Sequence, residues 1–193
     1  EKGGEIIPKV TQVVLSKRPN DSIPFQFPDE IDGAELHRKE GDAVHYISDK
    51  SSKTITKRKI EHFVSRNAMD IDGLGEKIID EFVDKGWLEN VADIYYLEQH
   101  RPQIQELEGW GEKSTTKLFE AIEKSKSQPF HRVLYGLGIR YIGEKGAKIL
   151  TRNFKNITEI ENADYETLKS IHEVGDVMAA SIVDYFNDEE ELH

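Results

Sequence analysis

Residues 71–82 read IDGLGEKIIDEF, and residues 107–118 read LEGWGEKSTTKL. The same register returns as IRYIGEKGAKIL at 139–150 and as IHEVGDVMAASI at 171–182. Superposing the four on Gly75, Gly111, Gly143 and Gly175, which lie 36, 32 and 32 residues apart, aligns apolar residues at three places. Ile71, Leu107, Ile139 and Ile171 stand four residues before the glycine; Leu74, Trp110, Ile142 and Val174 stand immediately before it; Phe82, Leu118, Leu150 and Ile182 follow seven residues later. An acidic residue comes directly after each glycine, and lysine comes next in three copies, as Lys77, Lys113 and Lys145. Agreement at this many positions is an internal repeat. Each unit reads as helix, tight turn, helix, with the middle apolar side chain of the turn plugging the space between its two helices.

The turn has chemical consequences. In the first two copies it is written Gly73-Leu74-Gly75 and Gly109-Trp110-Gly111, so the backbone bends without a Cβ between its amides and a ligand. The second helix begins there, and its first N–H groups have no partner within the helix and sit at the positive end of the helix dipole. Such a turn is suited to an anion such as phosphate, and a lysine two residues after the glycine adds a charge-assisted contact. The candidate binding residues are therefore Gly73, Gly75, Lys77, Gly109, Gly111, Lys113, Ser114, Arg140, Gly143 and Lys145. Contacts of this kind carry no base identity, so binding to nucleic acid should not depend on sequence. Tyr141 and Glu173 replace the first glycine in the third and fourth copies, and the fourth lacks the lysine. The fourth hairpin is expected to be mainly structural.

Composition permits this reading. The 193 residues carry a formal net charge of −11, which argues against a polyanionic partner only if charge is evenly spread. It is not, because residues 159–193 hold eleven acidic side chains and one basic one, leaving the rest of the chain near neutrality. There are no cysteines, which excludes disulfides and thiolate metal sites. No apolar run approaches the roughly 18 residues a membrane span needs. The chain starts at Glu1 without an initiator methionine or signal sequence, so an excised, cytoplasmic fragment is expected.

Three regions follow. Residues 1–16 contain a β-branched run, Gly3 to Leu15, read as one or two strands. Residues 17–56 mix turn formers with short alternating stretches, Ala34 to His37 and Ala43 to Ile47, and suggest a small antiparallel ribbon. Residues 57–193 carry the 3.6-residue periodicity of the four hairpins and an acidic tail. The fold class is mainly α with a small β part.

His62 to Asp80 (HFVSRNAMDIDGLGEKIID) and Phe130 to Ala147 (FHRVLYGLGIRYIGEKGA) resemble the helix-hairpin-helix region of bacterial NAD-dependent DNA ligases. The resemblance extends over most of the chain. It implies that residues 1–16 end an OB-fold, that 17–56 occupy the place of a small zinc-finger domain, and that 57–193 form a tandem helix-hairpin-helix domain. It further implies a fragment that holds nicked duplex DNA across the minor groove during replication and repair, while other ligase domains of the parent chain use NAD. A monomer is expected. The family's zinc is ordinarily held by four cysteines, and their approximate places here are Phe27, near Ile31 or Asp32, Ile47 and near Ser51. No zinc is therefore expected, His37 and His45 being too few ligands, and packing of Phe25, Phe27, Tyr46 and Ile47 is the expected substitute. The family's adenylated lysine precedes an x-Asp-Gly sequence; Asp32-Gly33 and Asp72-Gly73 have Glu30 and Asp70 in its place. No catalytic residue and no cofactor are assigned to this chain.

Two other functions remain open from the residues. A repair nuclease or junction-binding protein uses similar hairpins and would prefer branched DNA, and a protein-interaction module would show no salt-dependent DNA affinity. Lys57, Arg58, Lys59 and Arg66 form a basic patch that is either a solvated helix face or turned to DNA. Arg132 is either an ion-pair partner or a phosphate contact, His62 and His131 read as capping or packing residues, and Trp87, Tyr95 and Tyr96 read as core.

Overall fold

The four repeat glycines each stand at the N-cap of a helix. In the computed structural model, which describes residues 11–31, 33–38, 45–47 and 52–188, these helices are α2 (Glu76–Asp84), α4 (Glu112–Ser125), α6 (Glu144–Asn153) and α9 (Asp176–Phe186). Each opens on an acidic residue in its first turn, which complements the helix dipole where no N-cap side chain is present. The preceding helix of each hairpin is α1 (Lys53–Val64), α3 (Arg101–Gln105), α5 (Phe130–Gly136) or α8 (Tyr165–Lys169). A run of 3-10 turns at Val91–His100 leads into α3, and α7 (Ile157–Glu161) lies before α8. These connecting pieces are short and capped by side chains: Asn90 accepts from the amides of Ala92 and Asp93, Asn156 from Glu159, and Asp164 from Thr167.

The hairpins associate in pairs. Ile60, Phe63, Leu74, Ile79, Phe82, Leu88, Ile94, Leu97, Ile104, Leu118 and Ile122 close one core around the first two units. A second core, from Leu134, Ile139, Ile142, Leu150, Ile160, Leu168, Val174, Ala179 and Ile182, closes around the last two. Leu74, Ile142 and Val174, the middle residues of three turns, are buried, and Trp110 is half-buried against the first core. Neither pair of helices in one hairpin has enough apolar face to exclude water alone, which is why two units share each core.

The seam between the cores is polar and tight. Arg132 donates from Nε to the Ala68 carbonyl at 2.6 Å and from a terminal nitrogen to the Arg66 carbonyl. Gln128 donates to the Met69 carbonyl, and the His62 ring hydrogen-bonds the Tyr135 carbonyl at 2.8 Å while meeting the Tyr135 ring edge-on. Gly136 sits where a Cβ would come within 3.1 Å of the Phe63 ring and 3.3 Å of Ala68. Arg132 is thus a backbone clamp between α5 and the turn after α1.

The β part is a three-stranded antiparallel sheet in the order β1 (Glu30–Ile31), β2 (Ala34–Arg38), β3 (His45–Ile47). Several expectations need correction. Residues 1–10 lie outside the described residues, and Thr11 to Leu15 form no strand; Leu15–Lys17 make a single 3-10 turn, with Val13, Val14 and Leu15 exposed. An isolated β-branched run has no ladder partner here among the described residues, and propensity alone does not supply one. The helical region begins at Lys53, a turn earlier than the change in composition suggests. Phe25 and Phe27 do not form a core. They meet edge-to-face at 5.0 Å and Phe27 stacks on His45, yet they remain 78% and 57% exposed. Tyr96 is 67% exposed, whereas Tyr95 packs on Phe63 and Trp87 on Phe82; the three-residue spacing of the 3-10 run turns Ile94 and Leu97 into the core and leaves Tyr96 on the outer stripe with Asp93 and Gln99.

Candidate nucleic-acid interface

All four turns share one backbone path. The residue two before each repeat glycine lies in the left-handed region: Gly73 at φ 100°, Gly109 at 80°, Tyr141 at 64° and Glu173 at 71°. A left-handed residue followed by an apolar plug directs the chain into the next helix, and this demand is met by glycine twice and against steric preference twice. The repeat glycines themselves differ. Gly75, Gly143 and Gly175 have φ of −78°, −81° and −90°, and Gly111 is fully extended, conformations open to any residue. A Cβ built on any of the four meets no atom within 4 Å. Neither the fold nor the φ angle requires glycine there, so the bare backbone at the start of α2, α4, α6 and α9 faces outward.

Lys77 and Lys113 are exposed one residue into α2 and α4, beside those amides. Lys145, at the matching place in α6, is instead paired with Glu173 of the fourth turn at 2.8 Å. The Lys145 ammonium, by hydrogen bond and charge, holds the Glu173 carboxyl below its ordinary range. Asp176 at the head of α9 accepts from Lys169 at 2.6 Å and from the Tyr165 hydroxyl at 2.6 Å, and these two hold its carboxyl low as well, Lys169 first. The fourth turn is thus occupied by internal charge pairs. Ser114 faces its own turn: its hydroxyl accepts from the Gly111 amide and donates to the Gly111 carbonyl, both at 3.0 Å. That bond takes one of the amides counted as available from the sequence. Arg140 is exposed in the third turn, donating to the Tyr46 hydroxyl at 3.1 Å.

Residues 132–192 match the helix-hairpin-helix motif family. The chain is 44% identical over 191 residues to a DNA ligase of Oceanobacillus iheyensis, covering 98% of this chain and 28% of that protein. It is 44% identical to a DNA ligase of Bacteroides fragilis, over 98% of this chain and 29% of the relative, and 40% identical to one of Bacillus subtilis, over 100% and 29%. The chain is homologous to a segment of the bacterial DNA ligases. That segment spans less than a third of the relatives it matches.

In this chain the described part of the small sheet does not fit a zinc ion. There is no cysteine in the chain. Register pairs His37 with Tyr46 and Arg38 with His45, so His37 and His45 project from opposite faces and cannot share a metal. Among the described residues no group of three or more His, Asp or Glu side chains is placed to hold one, nor is any helix long and apolar enough to cross a membrane. In the basic patch Lys57 and Arg58 are held in ion pairs, as is Lys53 at the start of α1. Lys57 pairs with Asp80 at 3.2 Å and Asp84 at 3.4 Å, Lys53 with Asp84 at 3.6 Å, and Arg58 with Glu61 at 2.7 Å. The carboxylates of α2 that neutralise it were on the page as sequence, but nothing in the spacing said that α1 and α2 would lie side by side. Sequence reasoning assigned Tyr46 to the packing of the ribbon and did not foresee its bond from Arg140, nor the left-handed backbone of Tyr141. The latter was signalled only by its alignment with Gly73 and Gly109.

Proposed function

We propose that this chain is the DNA-holding part of an NAD-dependent DNA ligase, gripping nicked duplex DNA by its phosphates in a way that does not depend on sequence. The observation that carries the reading is the repeat glycine: a position that neither packing nor φ reserves for glycine, left bare at the start of a helix in every copy. A close-approaching anion explains the missing Cβ, and homology to ligases named for DNA points to phosphate as that anion. The amides around Gly73, Gly75, Gly109 and Gly143, with Lys77 and Lys113, hold strands on both sides of the nick so that its ends stay aligned, and Lys145 joins them only on leaving Glu173. Arg140 adds a guanidinium at the third turn.

In this reading the tandem hairpin domain runs from Lys53, where α1 begins, rather than from residue 57, the residues from 17 up to it are a zinc-finger-like ribbon that works without metal, and residues 1–16 are the end of an OB-fold. Adenylation and NAD belong to other ligase domains of the parent chain, so the fragment alone seals nothing. It acts in the cytoplasm as a monomer. Fluorescence anisotropy with nicked, intact and branched duplexes, titrated against salt, tests the proposal. Nicked or intact duplex should bind with a steep salt dependence that flattens in a Lys77→Glu, Lys113→Glu variant. Preference for branched DNA would favour a junction-binding function, and no binding at low salt a protein-interaction module.

A further inference from the structure

Tyr141 is the one aromatic residue among the four left-handed turn positions, and it is 56% exposed. A bulky L residue at φ 64° is strained where glycine would not be, and the ring gains no burial in return. Strain without burial suggests a task at the surface. The neighbouring geometry shows one. The Arg140 guanidinium lies 4.9 Å from the Tyr141 ring centroid and 5.4 Å from that of Tyr46, and it donates to the Tyr46 hydroxyl at 3.1 Å. Tyr46 belongs to β3, 94 residues away in sequence. A cation between two rings is restricted in direction as a lone exposed arginine is not.

Arg140 and Tyr141 also line a groove of about 980 Å³, with Arg58, Lys59, Asp184 and Asp188 on its wall. The acidic pair makes this no uniformly basic channel.

We propose that Tyr46, Arg140 and Tyr141 form a single DNA contact that extends the interface from the third hairpin onto the β ribbon. Arg140 is oriented by the two rings toward a phosphate, and Tyr141 packs its ring on the adjoining deoxyribose. Tyr46 and Tyr141 are positioning residues for Arg140, Tyr141 touching DNA as well. This inference rests on the DNA-holding reading above.

The test exploits the strain. Tyr141→Gly supplies the residue that the first two turns already use, so the 193-residue chain should melt at the same or a higher temperature. Its affinity for nicked duplex should nevertheless fall about three- to fivefold, on the scale of an exposed cation–π contact, with the slope against salt unchanged. Arg140→Gln should lower affinity and reduce that slope by about one. In a Tyr46→Ala background the Arg140→Gln change should cost less than in wild type, because the guanidinium is no longer oriented. A stable Tyr141→Gly protein that binds as wild type overturns the inference while leaving the hairpin reading intact. Loss of all binding by the wild-type chain overturns the reading beneath it, and this inference with it.

Discussion

Gly73 and Gly75 are two residues apart in the first turn, and substituting each should separate folding from binding. Gly73 stands at φ 100°, where a Cβ would meet Leu118 Cδ1 at 3.3 Å and the backbone conformation is one L residues rarely adopt. Gly73→Ala therefore adds left-handed strain of roughly 1–2 kcal/mol, together with a small displacement of a core leucine. At about 2–4 °C per kcal/mol for a chain of this size, melting should drop by about 2–8 °C. Gly75 stands at φ −78° and ψ 167°, with no atom within 4 Å of a built Cβ. Gly75→Ser fits this geometry and gives α2 a capping side chain, so stability should hold or rise by a few tenths of a kcal/mol, about the margin of serine over glycine as an N-cap.

Binding should respond in the opposite sense. The serine places a Cβ and a hydroxyl where phosphate is to approach, and its hydroxyl takes amides otherwise offered to the anion. Loss of one charge-assisted contact is worth about 1.5 kcal/mol, roughly tenfold in Kd. The assays are differential scanning fluorimetry and anisotropy with nicked duplex at fixed low salt. A Gly75→Ser protein that folds and binds like wild type would refute the idea that these glycines are kept for an external anion. A Gly75→Ser protein that fails to fold would refute the geometric argument itself.

Glu173→Gly should remove left-handed strain in the fourth turn and release Lys145 from its 2.8 Å ion pair; stability should change by less than about 1 kcal/mol, while DNA affinity rises several-fold with a steeper salt slope. Arg132→Met should cost about 2–3 kcal/mol, measured by urea denaturation, because the carbonyls of Ala68 and Arg66 lose their donor, and what remains folded should bind DNA normally. Acid should loosen the last hairpin. Asp164, held low by its bonds to Thr167, and Asp176, held low by Lys169 and Tyr165, have folded-state values below their unfolded ones. Their contribution is present above the ordinary carboxylate range near pH 4 and is lost as pH falls through the lowered values. Amide exchange or tyrosine fluorescence should show melting that is flat from neutrality to about pH 5 and declines below it, with Asp176→Asn flattening the decline.

What the sequence by itself determined was local. The four hairpins are legible because each depends on residues within about a dozen positions of its glycine: an apolar plug, a helix start, a 3.6-residue stripe. The two short alternating stretches of the ribbon, Ala34 to His37 and the part of Ala43 to Ile47 within the described residues, were legible for the same reason. Tertiary structure decided everything that depends on partners distant in the chain. It joined the hairpins into two cores, left Tyr96 and Phe25 in solvent, and placed the α2 carboxylates beside the lysines of α1. It turned Arg132 into a clamp on the Ala68 and Arg66 carbonyls and set Tyr46 against Arg140. The physical reason is that periodicity specifies which face of an element is apolar, while the element that covers it, and the charge that meets each cation, are chosen only when the chain folds back on itself.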